Sequence, residues 1–112
     1  MLEDELLKNI RTILSSAELV YSTKDFTSST ILYFKAIFLV TDLLLLRLKG
    51  KTPKDHTERF RMLESSDKNL YEFMDKYFKV YRDTYTLAID KETCDKLREN
   101  VKRIIKQYKI QV

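Results

Sequence analysis

The sequence predicts an all-α fold, and three observations lead to that prediction. Gly and Pro each occur once in 112 residues, far below their average usage, which argues against a turn-rich β fold. Apolar residues recur at three- and four-residue spacing in successive segments, as they do on one face of a helix. The segments between them are short and polar. We therefore expect one domain, residues 1–112, built as a bundle of four long helices and one short helix.

The first predicted helix covers about residues 2–21. Three acidic residues, Glu3, Asp4 and Glu5, occupy its first turn, where they suit the positive end of the helix dipole. The polar segment 22–24 is short enough to place the next helix antiparallel to it. The apolar face of this helix comprises Leu2, Leu6, Leu7, Ile10, Ile13, Leu14, Ala17 and Tyr21.

The second predicted helix, about residues 26–49, is the most apolar element. Asp25 is placed to cap its start, and Gly50 to end it in the left-handed conformation that glycine adopts without strain. Apolar side chains surround most of its circumference, and a small bundle does not readily cover one of its own helices on every side. We therefore expect a homodimer formed through the Ile31–Leu48 helix; the alternative is that helices of the same chain cover it. The polar residues within that span are Lys35, Thr41, Asp42 and Arg47.

The third and fourth predicted helices differ in length and composition. The third is short, about residues 53–64, with Thr52 as its N-cap and Pro53 at its first position. The fourth covers about residues 68–85. We interpret its aromatic residues as core packing, with a stacking surface for nucleic-acid bases as the alternative. These aromatic residues are Tyr71, Phe73, Tyr77, Phe78, Tyr81 and Tyr85.

The fifth predicted helix follows Asp90, which is placed to cap it. Its apolar stripe includes Cys94, the only cysteine, so no internal disulfide can form and a reducing, cytoplasmic setting is expected. The N-terminus does not resemble a signal peptide, because it is acidic before it is apolar. Lys35 and Asp42 interrupt the 31–48 run, so we expect no membrane span.

The residue inventory argues against most kinds of catalytic site. One His and one Cys do not supply the three or four ligands of an ordinary zinc site, so we expect no metal and no cofactor. A single Gly excludes a Gly-rich phosphate loop, and no Ser-His-Asp signature is present. The net charge of +4 permits an anionic partner without requiring one.

His56 is the most informative single residue for function. The pKa of a histidine lies near neutrality, so His56 is a candidate acid or base for RNA cleavage; we favour a structural role at one end of the bundle. The basic residues around it are candidates for positioning phosphates, although such residues are often simply solvated. These basic residues are Lys49, Lys51, Lys54, Arg59 and Arg61.

The order of these features resembles the HEPN domain family. The stretch Tyr33-Phe34-x-Ala36-x-Phe38 and the later run Lys49-Gly50-Lys51-Thr52-Pro53-Lys54-Asp55-His56 are similar to the aromatic–alanine helix, the glycine, the basic residues and the His of small prokaryotic members. The stretch Tyr81-Arg82-Asp83-Thr84-Tyr85, followed by Ile89-Asp90 and an amphipathic helix, resembles the C-terminal half. The resemblance covers about residues 5–108.

The resemblance implies an up-and-down bundle that commonly dimerises. Many HEPN proteins are ribonucleases, often the toxin of a toxin–antitoxin pair; others bind nucleotides or partner a small nucleotidyltransferase. The ribonucleases use an Arg, four to six intervening residues, and a His. Arg82 matches that Arg, but Leu87 and Ala88 stand where the His should follow. Arg82 and His56 are therefore the only catalytic candidates, and we expect no enzyme activity.

We accordingly expect a non-catalytic HEPN-like protein that binds a nucleotide, RNA or a partner protein as a homodimer. Its ligand-binding candidates are Arg82, Tyr85, Lys51, Lys54, His56 and Arg59. Two alternatives remain open. One is a divergent metal-independent ribonuclease, a toxin, that uses Arg82 and His56. The other is a protein-interaction module that partners a small nucleotidyltransferase or an antitoxin.

Overall fold

The computed structural model describes residues 2–112, which fold into five α-helices and contain no strand. The all-α prediction is confirmed, and the third helix is the shortest, with 11 residues against 16 to 24 in the others. Over the described residues, no helix has the length and apolarity that crossing a membrane requires. The helices are α1 (Leu2–Ser22), α2 (Phe26–Lys49), α3 (His56–Ser66), α4 (Lys68–Asp83) and α5 (Lys91–Gln107).

Helix α2 is the axis of the fold and packs against all four other helices. Near its end Arg47 binds Glu3 at the start of α1, with 2.9 Å between Nε and Oε1. Near its start the Tyr33 hydroxyl donates to Glu18, close to the end of α1. Contacts at both ends make α1 and α2 antiparallel, as the short connection predicts.

Helix α5 runs parallel to α2. The Sγ atom of Cys94 lies 3.2 Å from the Ser29 hydroxyl, and one turn further along both helices Arg98 Nε lies 3.1 Å from the Tyr33 hydroxyl. Cys94 is fully buried, as its place on the apolar stripe predicts. Apart from Arg98, the basic residues of α5 lie on faces that point away from this contact and are exposed.

Helix α4 runs antiparallel to α2. The Tyr81 ring, near the end of α4, lies 5.4 Å from the ring of Phe34, near the start of α2. At the other end Leu70 and Leu45 line the same cavity. The aromatic residues of α4 pack against the core, while only Leu70 and Met74 are buried outright. Core packing is therefore the main role of this aromatic face, and several of its rings remain partly exposed.

The apolar circumference of α2 is covered within one chain. Uncovered apolar surface on α2 is therefore no longer an argument for a second subunit. Of its apolar side chains only Ile31 and Leu48 are largely exposed, at 40% and 62%. Four neighbouring helices therefore bury a helix that we expected one chain to leave partly bare. The homodimer stays a prediction without that argument. Residues with no exposed surface on α2 include Tyr33, Phe34, Ala36, Ile37, Val40, Leu43 and Leu45.

The third helix begins three residues later than the sequence predicts. Asp55, and not Thr52, is its N-cap: its carboxylate accepts from the Glu58 amide at 2.8 Å. The Glu58 carboxylate in turn accepts from the Lys54 amide at 3.3 Å. An acidic cap with a Glu three residues later satisfies two free amides at once, which a Thr-Pro start does not. Thr52 and Pro53 therefore lie in the connection.

The remaining helix ends agree with the caps that the sequence predicts, with one exception. Asp25 and Asp90 cap α2 and α5 through their carboxylates. Gly50 ends α2 with a left-handed φ of 76°. Helix α4, however, stops at Asp83, so Tyr85 lies in the following turn and not on the helix as predicted. This places Tyr85 in solvent, with 74% of its surface exposed.

Candidate functional site

Polar side chains from three helices meet in a cleft of about 230 Å³ between α2, α3 and α4, which we call the His56 cleft. Its α2 residues follow one another at three-, four- and seven-residue spacing, which places them on one helix face. Helices α3 and α4 close the other sides. The lining residues are Lys35, Phe38, Leu39, Asp42, His56, Arg59 and Tyr81.

A paired Arg and Asp form the floor of the His56 cleft. Arg59 Nε lies 2.8 Å from Asp42 Oδ1, and Nη2 lies 3.2 Å from Oδ2. Their side chains are only 11% and 14% exposed, and a bidentate pair is the arrangement in which such shielded charges are tolerated. Arg59, predicted as a ligand-binding residue beside the inner face of α3, is thus buried and fastens α3 to α2.

The His56 ring lies beside this ion pair and is packed against three aromatic rings. Its centroid is 4.6 Å from that of Phe38, 5.4 Å from Phe78 and 5.7 Å from Tyr81. The Nδ1 atom contacts Nη1 of Arg59. A guanidinium can only donate, so Nδ1 accepts and the neutral ring carries its proton on Nε2. That Nε2–H forms no hydrogen bond with any residue in the range 2–112.

The surroundings of His56 also decide its charge. Burial and the positive charge of Arg59 lower its pKa below the usual value of 6.5, while Asp42 and Asp55 act in the opposite direction with smaller effect. His56 is therefore neutral at pH 7. It offers the cleft a hydrogen-bond donor and not a cation.

An aromatic surface leads from the cleft to solvent. The hydroxyls of Tyr81 and Tyr85 lie 3.1 Å apart, and their rings meet edge to face at 5.7 Å. The Arg82 guanidinium lies over the Phe78 ring, 5.8 Å from its centroid. Because Tyr85 is largely exposed, it presents a ring on which a planar group can stack.

The structure brings some of the predicted site residues together and leaves others apart. His56 and Arg59 share the cleft, and Tyr85 adjoins it through Tyr81. The side chains of Lys51 and Lys54 are exposed in the connection before α3 and do not line it. Arg82 and His56 both pack on Phe78, but within residues 2–112 no hydrogen bond joins them.

Three polar residues of the cleft, Lys35, Asp42 and Tyr81, were not among the predicted site residues. Lys35 and Asp42 lie seven residues apart and are isolated charges within an apolar helix. Such isolated charges indicate a polar site in the sequence itself. Tyr81 had no such signal, because it is one of seven tyrosines. The pairing of Asp42 with Arg59 depends on how α3 packs on α2 and cannot be deduced from spacing.

A second polar cluster, also absent from the sequence prediction, joins α1, α2 and α5. The Glu18 carboxylate accepts from Arg98 at 2.8 and 3.2 Å, and also contacts Lys102 and the Tyr33 hydroxyl. Burial by itself raises its pKa, but hydrogen bonds from Arg98, Lys102 and Tyr33 outweigh burial and lower the pKa of Glu18 to about 2. The one carboxylate of this cluster is bound to both of its cations and to Tyr33, so the cluster connects α1 to α2 and α5.

Comparisons of the chain with protein-family models, with curated proteins and with solved structures found no match. Among residues 2–112, no three His, Cys, Asp or Glu side chains lie close enough together to hold a metal ion. The chemistry available at the His56 cleft is therefore that of a neutral imidazole, one ammonium group, a paired guanidinium and aromatic rings.

Proposed function

We propose that the protein is a non-catalytic HEPN-like binding protein whose His56 cleft holds a nucleotide unit, either free or within single-stranded RNA. The observation that carries the proposal is the meeting, in one cleft, of the Lys35 ammonium, the His56 Nε2–H and the Tyr81–Tyr85 surface. Phosphate oxygens accept hydrogen bonds from ammonium and imidazole donors. Bases of any identity stack on exposed aromatic rings.

The volume of the cleft supports an arrangement in which only the phosphate enters. A cleft of about 230 Å³ is smaller than the sites that enclose whole ligands, which begin at roughly 300 Å³. The base would then rest outside, on Tyr85. Tyr85 lies beside Tyr81, which lines the cleft, so phosphate and base positions are adjacent.

The charge balance supports weak binding with little salt dependence. Arg59 is neutralised by Asp42, and His56 is neutral at pH 7. Lys35 forms no ion pair within residues 2–112 and is the one uncompensated charge of the lining. A single phosphate contact gives a slope of log affinity against log salt of about −0.7 for a single strand.

The HEPN-like part of the proposal is supported by helix directions. Helices α1 and α4 run antiparallel to α2, and α5 runs parallel to it. That alternation is typical of an up-and-down bundle, which the resemblance implies. The short α3 stands between α2 and α4 and supplies His56 and Arg59 to the cleft.

Fluorescence anisotropy tests this function with two probes, a labelled single-stranded RNA of about ten nucleotides and a fluorescent ATP analogue. We expect Lys35→Ala and Tyr85→Ala each to weaken RNA binding at least about fivefold at low salt, because each removes a phosphate or stacking contact. The matched control is Lys106→Ala, an exposed lysine on α5 that does not line the cleft. Its affinity should equal that of the wild type.

The same samples separate the competing functions. No binding of either probe at low salt would overturn the proposal and favour a module that docks on a nucleotidyltransferase or an antitoxin. Metal-free cleavage of the RNA by the wild type, lost in both Arg82→Ala and His56→Ala, would replace it with the ribonuclease. Binding of RNA but not of the ATP analogue assigns the cleft to a nucleotide within a strand.

A further inference from the structure

The charges that line the His56 cleft restrict the charge of the phosphate that it can hold. Both oxygens of Asp42 face the Arg59 guanidinium, so these two charges cancel. His56 is neutral, because its Nδ1 atom accepts from Arg59, and burial and that guanidinium lower its pKa. Tyr81 keeps its proton, because a hydrogen bond and burial raise the pKa of its hydroxyl. The lining therefore carries one net positive charge, on Lys35.

Among residues 2–112, no second unpaired cation belongs to the lining. Arg82 is exposed on α4 and is not part of the cleft wall, and Lys51 and Lys54 are exposed in the connection before α3. Asp42 does belong to the wall and repels any negative charge that Lys35 does not balance. A second negative charge on a ligand would therefore lose water without gaining a counter-charge.

The lining offers two donor groups that no other side chain engages. Each nitrogen of the Arg59 guanidinium already has a partner in Asp42 or His56. The Tyr81 hydroxyl is hydrogen-bonded to another tyrosine. This leaves the Lys35 ammonium and the His56 Nε2–H, which have no partner within residues 2–112. A phosphodiester has two non-bridging oxygens that share one charge, whereas a terminal phosphate has three such oxygens and a charge of roughly −1.5 to −2 at pH 7.

We propose that the His56 cleft selects a phosphodiester, the singly charged phosphate that links two carbon atoms, over the terminal phosphate of a nucleotide; this inference rests on the proposed function. One non-bridging oxygen accepts from Lys35 and the other from the His56 Nε2–H. The carbon of the second ester lies against Phe38 and Leu39, the apolar side chains of the lining. The ligand is thus a nucleotide within a strand or a cyclic nucleotide, both of which contain this group.

AMP and its methyl ester test the selection on the whole chain, because they differ by one methyl group and one charge. Each is titrated into the wild-type protein at low salt and pH 7, and the amide signals of Lys35, Leu39 and His56 are followed by NMR. We expect the methyl ester to bind at least about fivefold more tightly than AMP, since the lining balances only one negative charge. Binding of AMP as tight as that of the ester would overturn the selection and leave the proposed function intact.

Two natural diesters identify the source of the ligand. The dinucleotide ApA carries the diester of a strand, and cyclic AMP carries it within a ring. Tighter binding of ApA assigns the cleft to RNA and tighter binding of cyclic AMP to a cyclic nucleotide; both results support the diester. Failure of both where the methyl ester binds would overturn it, because the cleft would then not admit a natural diester. If none of the four compounds binds, the proposed function fails and this inference fails with it.

Two variants separate the effect of charge from contact with the added methyl group. Asp42→Asn leaves Arg59 unbalanced and gives the lining a second positive charge, so the preference for the ester over AMP should fall to within about twofold. Asp75→Asn makes the same charge change at an exposed position of α4 outside the cleft and should keep the full preference. An unchanged preference in Asp42→Asn would show that the methyl group, and not charge, selects the ester, and would overturn the proposal.

The amide spectrum reports that each variant is folded. Lys35→Gln changes an exposed residue and provides a second test that does not disturb the Asp42–Arg59 pair. It removes the one net positive charge, so binding of the methyl ester should weaken about fivefold. Binding of the ester that is unchanged in Lys35→Gln would rule out the assigned phosphate contact.

Discussion

At the scale of single residues, the protonation state of His56 depends on side chains of α2, α3 and α4 that helix packing brings against its ring. Its ring is packed among Phe38, Phe78 and Tyr81, and its Nδ1 atom faces Arg59. Burial and the guanidinium charge both disfavour the imidazolium form. The lowered pKa therefore favours the neutral ring at pH 7, with its proton on Nε2.

Glu18 supplies the residue-scale prediction. Replacing Glu18 by Gln leaves Arg98 and Lys102 without a counter-charge between α1 and α5. We expect the free energy of unfolding to fall by about 1–2 kcal/mol at pH 7, discounted because 32% of the Glu18 side chain is exposed. The matched control is Glu99→Gln, whose exposed carboxylate forms no ion pair within residues 2–112. Urea unfolding of both variants measures the difference.

The pH dependence of that difference follows from the pKa of Glu18. The folded pKa of about 2 lies below the ordinary value of 4.5, so the carboxylate stabilises the fold fully only above pH 4.5. Its contribution is lost as pH falls from 4.5 towards 2. The gap between wild type and Glu18→Gln should therefore shrink between pH 7 and about pH 3. A gap that is constant with pH would show that the carboxylate does not act through its charge.

At the scale of elements, three helix ends adopt a left-handed backbone, at Lys24 after α1, Gly50 after α2 and Lys109 after α5. Gly50 follows α2 with φ of 76°, and Lys24 follows α1 with φ of 67°. Glycine adopts this conformation without strain, whereas a residue with a Cβ does not. An added Cβ at Gly50 would have no atom within 4 Å, so a substitution there affects the backbone alone.

Gly50 and Lys24 allow a paired prediction. Gly50→Ala should lower the free energy of unfolding by about 1 kcal/mol, because alanine is strained at positive φ. Lys24→Gly should raise it by about 0.5–1 kcal/mol for the converse reason. Thermal unfolding of both variants against the wild type measures the pair. Changes of the same sign would contradict this account of the two helix ends.

At the scale of the whole molecule, one chain already forms a compact body. The radius of gyration is 13.5 Å, close to the roughly 13 Å that a folded chain of this length has. Most apolar side chains of helix α2 are buried inside this body, although its last three residues are exposed. A dimer would therefore use the few apolar side chains that α2 leaves exposed, Ile31 and Leu48, together with their surroundings.

The homodimer prediction is tested by light scattering. We expect a mass twice the 13.4 kDa of one chain. Ile31→Glu and Leu48→Glu should shift the mass towards that of a monomer, because each places a charge in the proposed interface. Leu19→Glu is the control, since Leu19 is 69% exposed on α1 and is not part of α2. A wild-type mass of one chain would contradict the dimer.

The helices and most of their caps could be predicted from the sequence because they depend on residues a few positions apart. Spacing of three and four residues defined the faces, and Asp25, Asp90 and Gly50 marked helix ends. The start of α3 was misplaced because two N-caps compete within four residues there. Asp55 prevails because Glu58 also contributes a cap.

The candidate site was only partly predictable. His56 was identified because it is the only histidine, and Lys35 was visible as a charge on an apolar helix. Arg59 is predicted to bind a ligand because it belongs to the basic residues around His56, and no sequence feature indicates its partner Asp42 on α2. Spacing within one helix shows which residues share a face, but it does not show which face meets another helix.

The sequence by itself determined that this protein is helical, that the segment from Phe26 to Lys49 is its most apolar helix, and where most helices end. Only the tertiary structure decided what covers that helix, which charges pair and which side chains share a cleft. Asp42 and Arg59 are 17 residues apart, and Glu18 and Arg98 are 80 apart. The physical reason is that caps and spacing act through neighbouring peptide groups, whereas pairing depends on the packing directions of whole helices.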